Sequence, residues 1–377
     1  MSKQKSSNRF RFVAAAILLS ALVFVIPALR TGNTLLYFLV VLIPCVMLLF
    51  ETVFARLFSL DRMIVALVLW LSAAGVAALA VSGPDAALAQ SMCCGAALVA
   101  LLIGGIMIRS LTPSVLTSAC TAFLGLLFLA GRLLAPNLDL PLAEAALALL
   151  LIAFTSLFAR QGPVSALILG VAALALALFS NDPATAVFWG LVILLLAFAA
   201  DGRLVIIIPA LAAVLLLFSG AALLSLFPAA SQESSPLDAL VSVPAIGADV
   251  LPEGFTASDP DSLFLFVTGH YGLIFSGLTA LLFLPLALRG SSVAVSARTR
   301  FHAMLAMGVT LLISLHALAA ILSVFGFLPL PGIRLPFLTR NLPDLCSEFF
   351  LAGLLCGVSG RNDSDLAEDA HLAMLAK

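Results

Sequence analysis

The chain has 377 residues, 63% hydrophobic and 10% charged, with a formal net charge of −1. A soluble domain holds about 45–50% apolar and about 25% charged residues. These values exclude an ordinary water-soluble globule and leave no electrostatic basis for nucleic-acid binding.

Crossing a bilayer takes about 20 mostly apolar residues. Runs near that length cover 12–29, 34–55, 63–82, 87–109, 113–134, 142–160, 163–180, 184–200, 204–227, 263–289, 301–327 and 344–359. The first follows Lys3, Lys5, Arg9 and Arg11. It exceeds a signal-peptide core and lacks a small-residue cleavage site, so it reads as a retained helix. Polar or Pro/Gly punctuation separates the runs, as at Ser82-Gly83-Pro84-Asp85, Gln161-Gly162-Pro163 and Asn181-Asp182-Pro183. The last run is short and the third to fifth are the weakest, giving ten to twelve spans. With the N-terminus inside, fourteen Lys and Arg fall inside and four (Arg30, Arg132, Arg334, Arg340) outside, as the positive-inside rule requires. The expected fold is therefore an all-α polytopic membrane bundle with both termini cytoplasmic. It divides into N-terminal helices (1–134), a core (135–360) and a cytoplasmic tail (361–377).

One outer loop, 228–262, stands apart. It carries Glu233, Asp238, Asp249, Glu253, Asp259 and Asp261 and no basic residue. Loops of this length in compact bundles are usually functional or disordered. Its apolar stretch 237–246 is expected to pack back onto the membrane. The six cysteines lie in apolar runs without a Cys-x-x-Cys pair and read as small packing residues.

Ionisable side chains within spans are costly and face a cavity or a partner. Glu144 and Asp182 open spans six and eight at their outer ends, and Asp261 and His270 enter span ten from outside. His316 lies in the outer half of span eleven. Arg334, Arg340, Asp344 and Glu348 flank the last outer turn. Each alone could be an interfacial or capping residue; their shared level points to one outer site. Glu51, beside Arg56, reads as structural.

Five short elements carry a resemblance. Gly326-Phe327-Leu328-Pro329 with Gly332 and Leu335-Pro336-Phe337, Asp182-Pro183-Ala184-Thr185-Ala186, Pro141-Leu142-Ala143-Glu144, Leu251-Pro252-Glu253 and Asp261-Ser262-Leu263-Phe264 occur in order on the expected sides. Over roughly 130–360 the chain resembles the SEDS family of peptidoglycan glycosyltransferases (FtsW, RodA). It departs where the family has a Lys after the Glu (here Leu147) and a Glu-Glu pair (here Gly269-His270). A family Gln and Asn are His316 and Ala320, and the outer Arg-Trp and the Gly-Gly-Ser-Ser run are missing. Upstream the chain has five spans where the family has three.

The resemblance implies polymerisation of a lipid-linked disaccharide (lipid II) at the outer face of the bacterial cytoplasmic membrane, with a class B penicillin-binding transpeptidase as partner. It makes Asp261 the candidate base, although an Asp before an apolar run equally fits an N-cap. Glu144, Asp182, Glu253, His270, His316, Arg334 and Arg340 are the candidate substrate-binding residues. Arg, Lys or a divalent cation, Mg or Mn, would stabilise the departing pyrophosphate. Two other readings stay open: a degenerate homologue acting as a scaffold, and a lipid-linked sugar flippase.

Overall fold

A computed structural model describes residues 34–134, 142–179, 183–201, 263–324 and 334–375, with the isolated positions Val25, Leu29, Ile208, Ala212 and Ala245. The expected spans 12–29 and 204–227 lie outside the described residues. The described residues form helices, with no strand among them. Seven helices are long and apolar enough to cross a membrane, and three more are apolar and shorter. The protein is a multi-pass membrane helical bundle.

Helix α1 (Thr34–Leu49) runs through a π-helical turn, Phe50–Phe54, into Ala55–Leu57. Rings of Phe50, Phe54 and Phe58 stack along that turn with centroids 5.3 and 6.3 Å apart. Glu51 is buried there. The three weakest spans of the sequence stand as helices α2 (Arg62–Ser82), α3 (Pro84–Ser110) and α4 (Val115–Leu134). Asp61 caps α2, its Oδ1 accepting from the Met63 and Ile64 amides. Helices α5 (Leu142–Gln161), α6 (Pro163–Phe179) and α7 (Pro183–Asp201) follow. Gly162, at φ +90°, makes the turn from α5 to α6, and Pro163 starts the new helix.

The apolar run 263–289 is one unbroken span in sequence but three helices in the fold: α8 (Leu263–Tyr271), α9 (Leu273–Leu281) and α10 (Phe283–Ser296). The break after α8 is at Gly272, whose φ of +86° suits glycine. The amide of Ile274 donates to the carbonyl of Ala245, 3.1 Å away, in the long loop. That bond satisfies an amide the break leaves without a helical partner, and it puts one residue of the apolar loop stretch onto the bundle as expected. Helix α11 (Arg300–Val324) and the continuous α12 (Leu342–Leu375) complete the chain. The expected tail, 361–377, is thus helical through Leu375.

In lipid, helices associate through close packing and polar contacts rather than the hydrophobic effect. The closest crossing joins α3 and α12. A methyl added at Gly104, Gly353 or Gly357 would meet the backbone of the opposite helix. Ser118 of α4 and Ser156 of α5 share a hydrogen bond of 2.7 Å. Gly308 of α11 lies against Leu151 of α5 and Leu196 of α7, so α11 runs between them.

The two ends of the bundle differ. At one, Arg109 donates to the Phe58 carbonyl and Arg160 to the Pro113 carbonyl at 2.8 Å. There Asp61 Oδ2 accepts from Arg289 Nε (2.8 Å) and from Ser359 Oγ (2.7 Å). This arginine-rich end ties α2, α10 and α12 together through one carboxylate. His270, His316, Arg334 and Arg340 lie toward the opposite end.

Candidate functional site

At the opposite end the connection from α11 to α12 passes through Leu335, Phe337, Leu338 and Thr339, all buried. Such a segment must satisfy its backbone polar groups away from water. Three side chains do so. Glu348 accepts the Phe337 amide at 2.5 Å, Gln90 of α3 donates to the Thr339 carbonyl at 2.9 Å, and Thr339 Oγ1 accepts the Asn341 amide at 3.2 Å. Phe337 sits at φ +67°, an unfavourable region for a bulky residue. Its ring is fully buried, edge-on to Phe349 at 5.7 Å. Arg334 and Asp344 form an ion pair across the base of the turn, with Asp344 the more buried partner. The turn is a pinned plate.

Of the candidates read from the sequence, His270 lies on the last turn of α8, buried, with its ring edge-on to Phe266 at 4.4 Å. The next residue, Tyr271, donates to the Ala77 carbonyl of α2 at 3.0 Å, fixing the end of α8. His316 of α11 stacks on Phe188 of α7 with centroids 4.9 Å apart. Trp189 beside it is buried edge-on to Phe154 of α5. Arg334 is held by Asp344, and Arg340 sits half-buried at the far side of the same turn.

Glu144 belongs to the first turn of α5. Asp182, Glu253 and the candidate base Asp261 lie outside the described residues, but Asp182 immediately precedes α7 and Asp261 stands two residues before α8. Helices α5, α7 and α8 all begin at this end. Among the described residues no group of three His, Cys, Asp or Glu side chains could hold a metal ion. Leu147, one turn into α5, is buried in the apolar core. Gln90 was not singled out in the sequence. Its signal was a lone amide in an apolar run, and its partner lies 249 positions away.

The fold is that of RodA. The crystal structure of Thermus thermophilus RodA matches with a TM-score of 0.60, covering 80% of this chain and 96% of that one at 18% identity. A chain of the structure titled "Structural coordination of polymerization and crosslinking by a peptidoglycan synthase complex" matches with a TM-score of 0.63, over 81% and 98% at 16% identity.

The family model FTSW_RODA_SPOVE, described as "Cell cycle protein", matches residues 249–362. That stretch spans the end of the long loop, α8 to α11, the pinned turn and most of α12. The "Probable peptidoglycan glycosyltransferase FtsW" of Geobacter sulfurreducens is 36% identical over 112 residues, 29% of each chain. "Stage V sporulation protein E" of Bacillus subtilis is 32% identical over 109 residues, again 29% of each. The matched stretch thus spans about 29% of the length of these curated relatives. Residues 249–362 thus carry the FtsW/RodA/SpoVE signature, and the chain as a whole has the fold of RodA.

Proposed function

We propose that the chain polymerises a lipid-linked disaccharide into peptidoglycan strands at the outer face of the bacterial cytoplasmic membrane. The observation that carries this reading is where the family stretch folds. Its pinned turn and α8 share one end of the bundle with the starts of α5 and α7, next to α11. Sugar transfer between two lipid-borne substrates needs a place level with the headgroups and open sideways to the bilayer.

In this reading Asp261 removes the proton from the acceptor hydroxyl as that oxygen attacks the donor's anomeric carbon. The bond to the lipid pyrophosphate breaks, and the pyrophosphate leaves with the bonding electrons. Arg334 and Arg340 meet the developing charge, Arg334 held in place by Asp344. Glu144, Asp182 and Glu253 organise the acceptor side or hold a Mg or Mn ion that shares the pyrophosphate's charge. His270 and His316 line the sugar path. A class B penicillin-binding protein is the expected partner, crosslinking the strands made here.

The test is polymerisation of lipid II by the purified protein with its transpeptidase. Wild type is expected to yield glycan strands, and Asp261→Ala none. A second reading, a scaffold without catalysis, is favoured by buried Leu147 and by His270, which stand where the family carries charged residues. Equal growth on wild type and Asp261→Ala, with deletion lethal, would select it. Movement of lipid II across vesicles without polymer would instead select a flippase.

A further inference from the structure

The turn from α1 to α2 is fixed from several sides. The Leu60 amide donates to the Ala55 carbonyl at 2.8 Å, and the Ser59 amide to the Arg56 carbonyl at 3.3 Å. Leu60 packs on Gly105 of α3, and Gly360 of α12 lies against the Ser59 backbone. Arginines from three helices meet on this turn. Arg56 ends α1, Arg62 starts α2, and Arg109 reaches across from the last turn of α3 to donate to the Phe58 carbonyl. All three are exposed. The two acids of the same stretch are turned inward: Glu51 is buried in the π-helical turn, and Asp61 is committed to Arg289 and Ser359. Among the described residues none of the three arginines has an ion-pair partner. Below them Leu49, Val53 and Leu57, spaced four apart along α1, form an exposed apolar stripe that leads from the arginines into the bilayer.

We propose that this turn is a binding site for an anionic phospholipid of the inner leaflet. The positive-inside distribution puts it on the cytoplasmic side, where basic pockets between spanning helices hold anionic headgroups. Guanidinium groups donate paired hydrogen bonds to phosphate oxygens. The headgroup phosphodiester lies among Arg56, Arg62 and Arg109, and its acyl chains follow the stripe on α1. The lipid thereby ties α1 to α2 and α3 at one point. A soluble phosphate would use the arginines but leave the stripe unused, so the apolar track is what selects a lipid.

The site stands whether or not sugars are transferred. The purified full chain in neutral detergent is titrated with phosphatidylglycerol or phosphatidylcholine, and native mass spectrometry counts the lipid retained. Wild type is expected to hold phosphatidylglycerol in preference to phosphatidylcholine. Arg56→Gln with Arg62→Gln should weaken that binding about 25-fold. Arg109 is left intact in this variant because its bond to Phe58 also holds the turn. Arg160→Gln with Arg298→Gln, at the same end of the bundle on other helices, should leave the binding unchanged. Millimolar inorganic phosphate should not displace the lipid. Equal retention of the two lipids by wild type, equal binding by wild type and the Arg56/Arg62 variant, equal weakening by both double variants, or displacement by phosphate would each overturn the proposal.

Discussion

Asp61 does three jobs with one carboxylate. It caps α2, pairs with Arg289 of α10 and accepts from Ser359 of α12. Its side chain is 5% exposed and that of Arg289 27%. Removing one member of a largely buried pair leaves the other's charge uncompensated, which costs more than the pair itself contributes. Asp61→Ala is therefore expected to lower stability by about 3 kcal/mol, and Ser359→Ala by about 1 kcal/mol. Denaturant unfolding in detergent micelles measures both, and equal effects would contradict the account. At the other end, Glu348 accepts the Phe337 amide. Glu348→Gln keeps an acceptor there and Glu348→Ala does not. The first should retain most of the thermal stability, and the second should lose about 2 kcal/mol through the orphaned amide. Sequence reading placed Asp344 and Glu348 at this outer turn from their position in the last span. It could not assign their partners, because an ion pair and an amide contact leave no trace in local spacing.

Among elements, the α3–α12 crossing depends on glycine because the backbones touch. A side chain at Gly353 would strike the Leu101 carbonyl. Gly353→Val should cost about 3 kcal/mol by overpacking. Gly277 of α9 has open space around it, so Gly277→Ala should be neutral or gain a few tenths of a kcal/mol from helix propensity. Thermal melts of the two variants side by side check the contrast. Helices α2 to α7 were legible because each is an apolar run bounded by Pro, Gly or charged punctuation. The break at Gly272 was not. A single glycine inside an apolar run reads as a tolerated helical residue, and what opens the helix there includes Ala245, distant in sequence. The glycines of α3 and α12 were likewise visible, but nothing in either helix alone named the other as its mate.

Across the whole molecule, charge sorts the bundle. Arg109, Arg160 and Arg289 close one end on loop carbonyls and Asp61, while His270, His316, Arg334 and Arg340 lie toward the other. That separation was readable from the alternation of spans, since loop charge asymmetry is a global property that survives errors in individual helix ends. The account's central claim is also global: segments far apart in the chain deliver carboxylates to a single hollow.

The most direct test replaces the six native cysteines by serine, introduces Asp182→Cys with Asp261→Cys, and treats membranes with a short bis-maleimide. The account predicts an intrachain link between the two positions, and none between Asp261→Cys and Arg160→Cys at the opposite face. No link to position 182, under conditions where each cysteine reacts singly with maleimide, would contradict it.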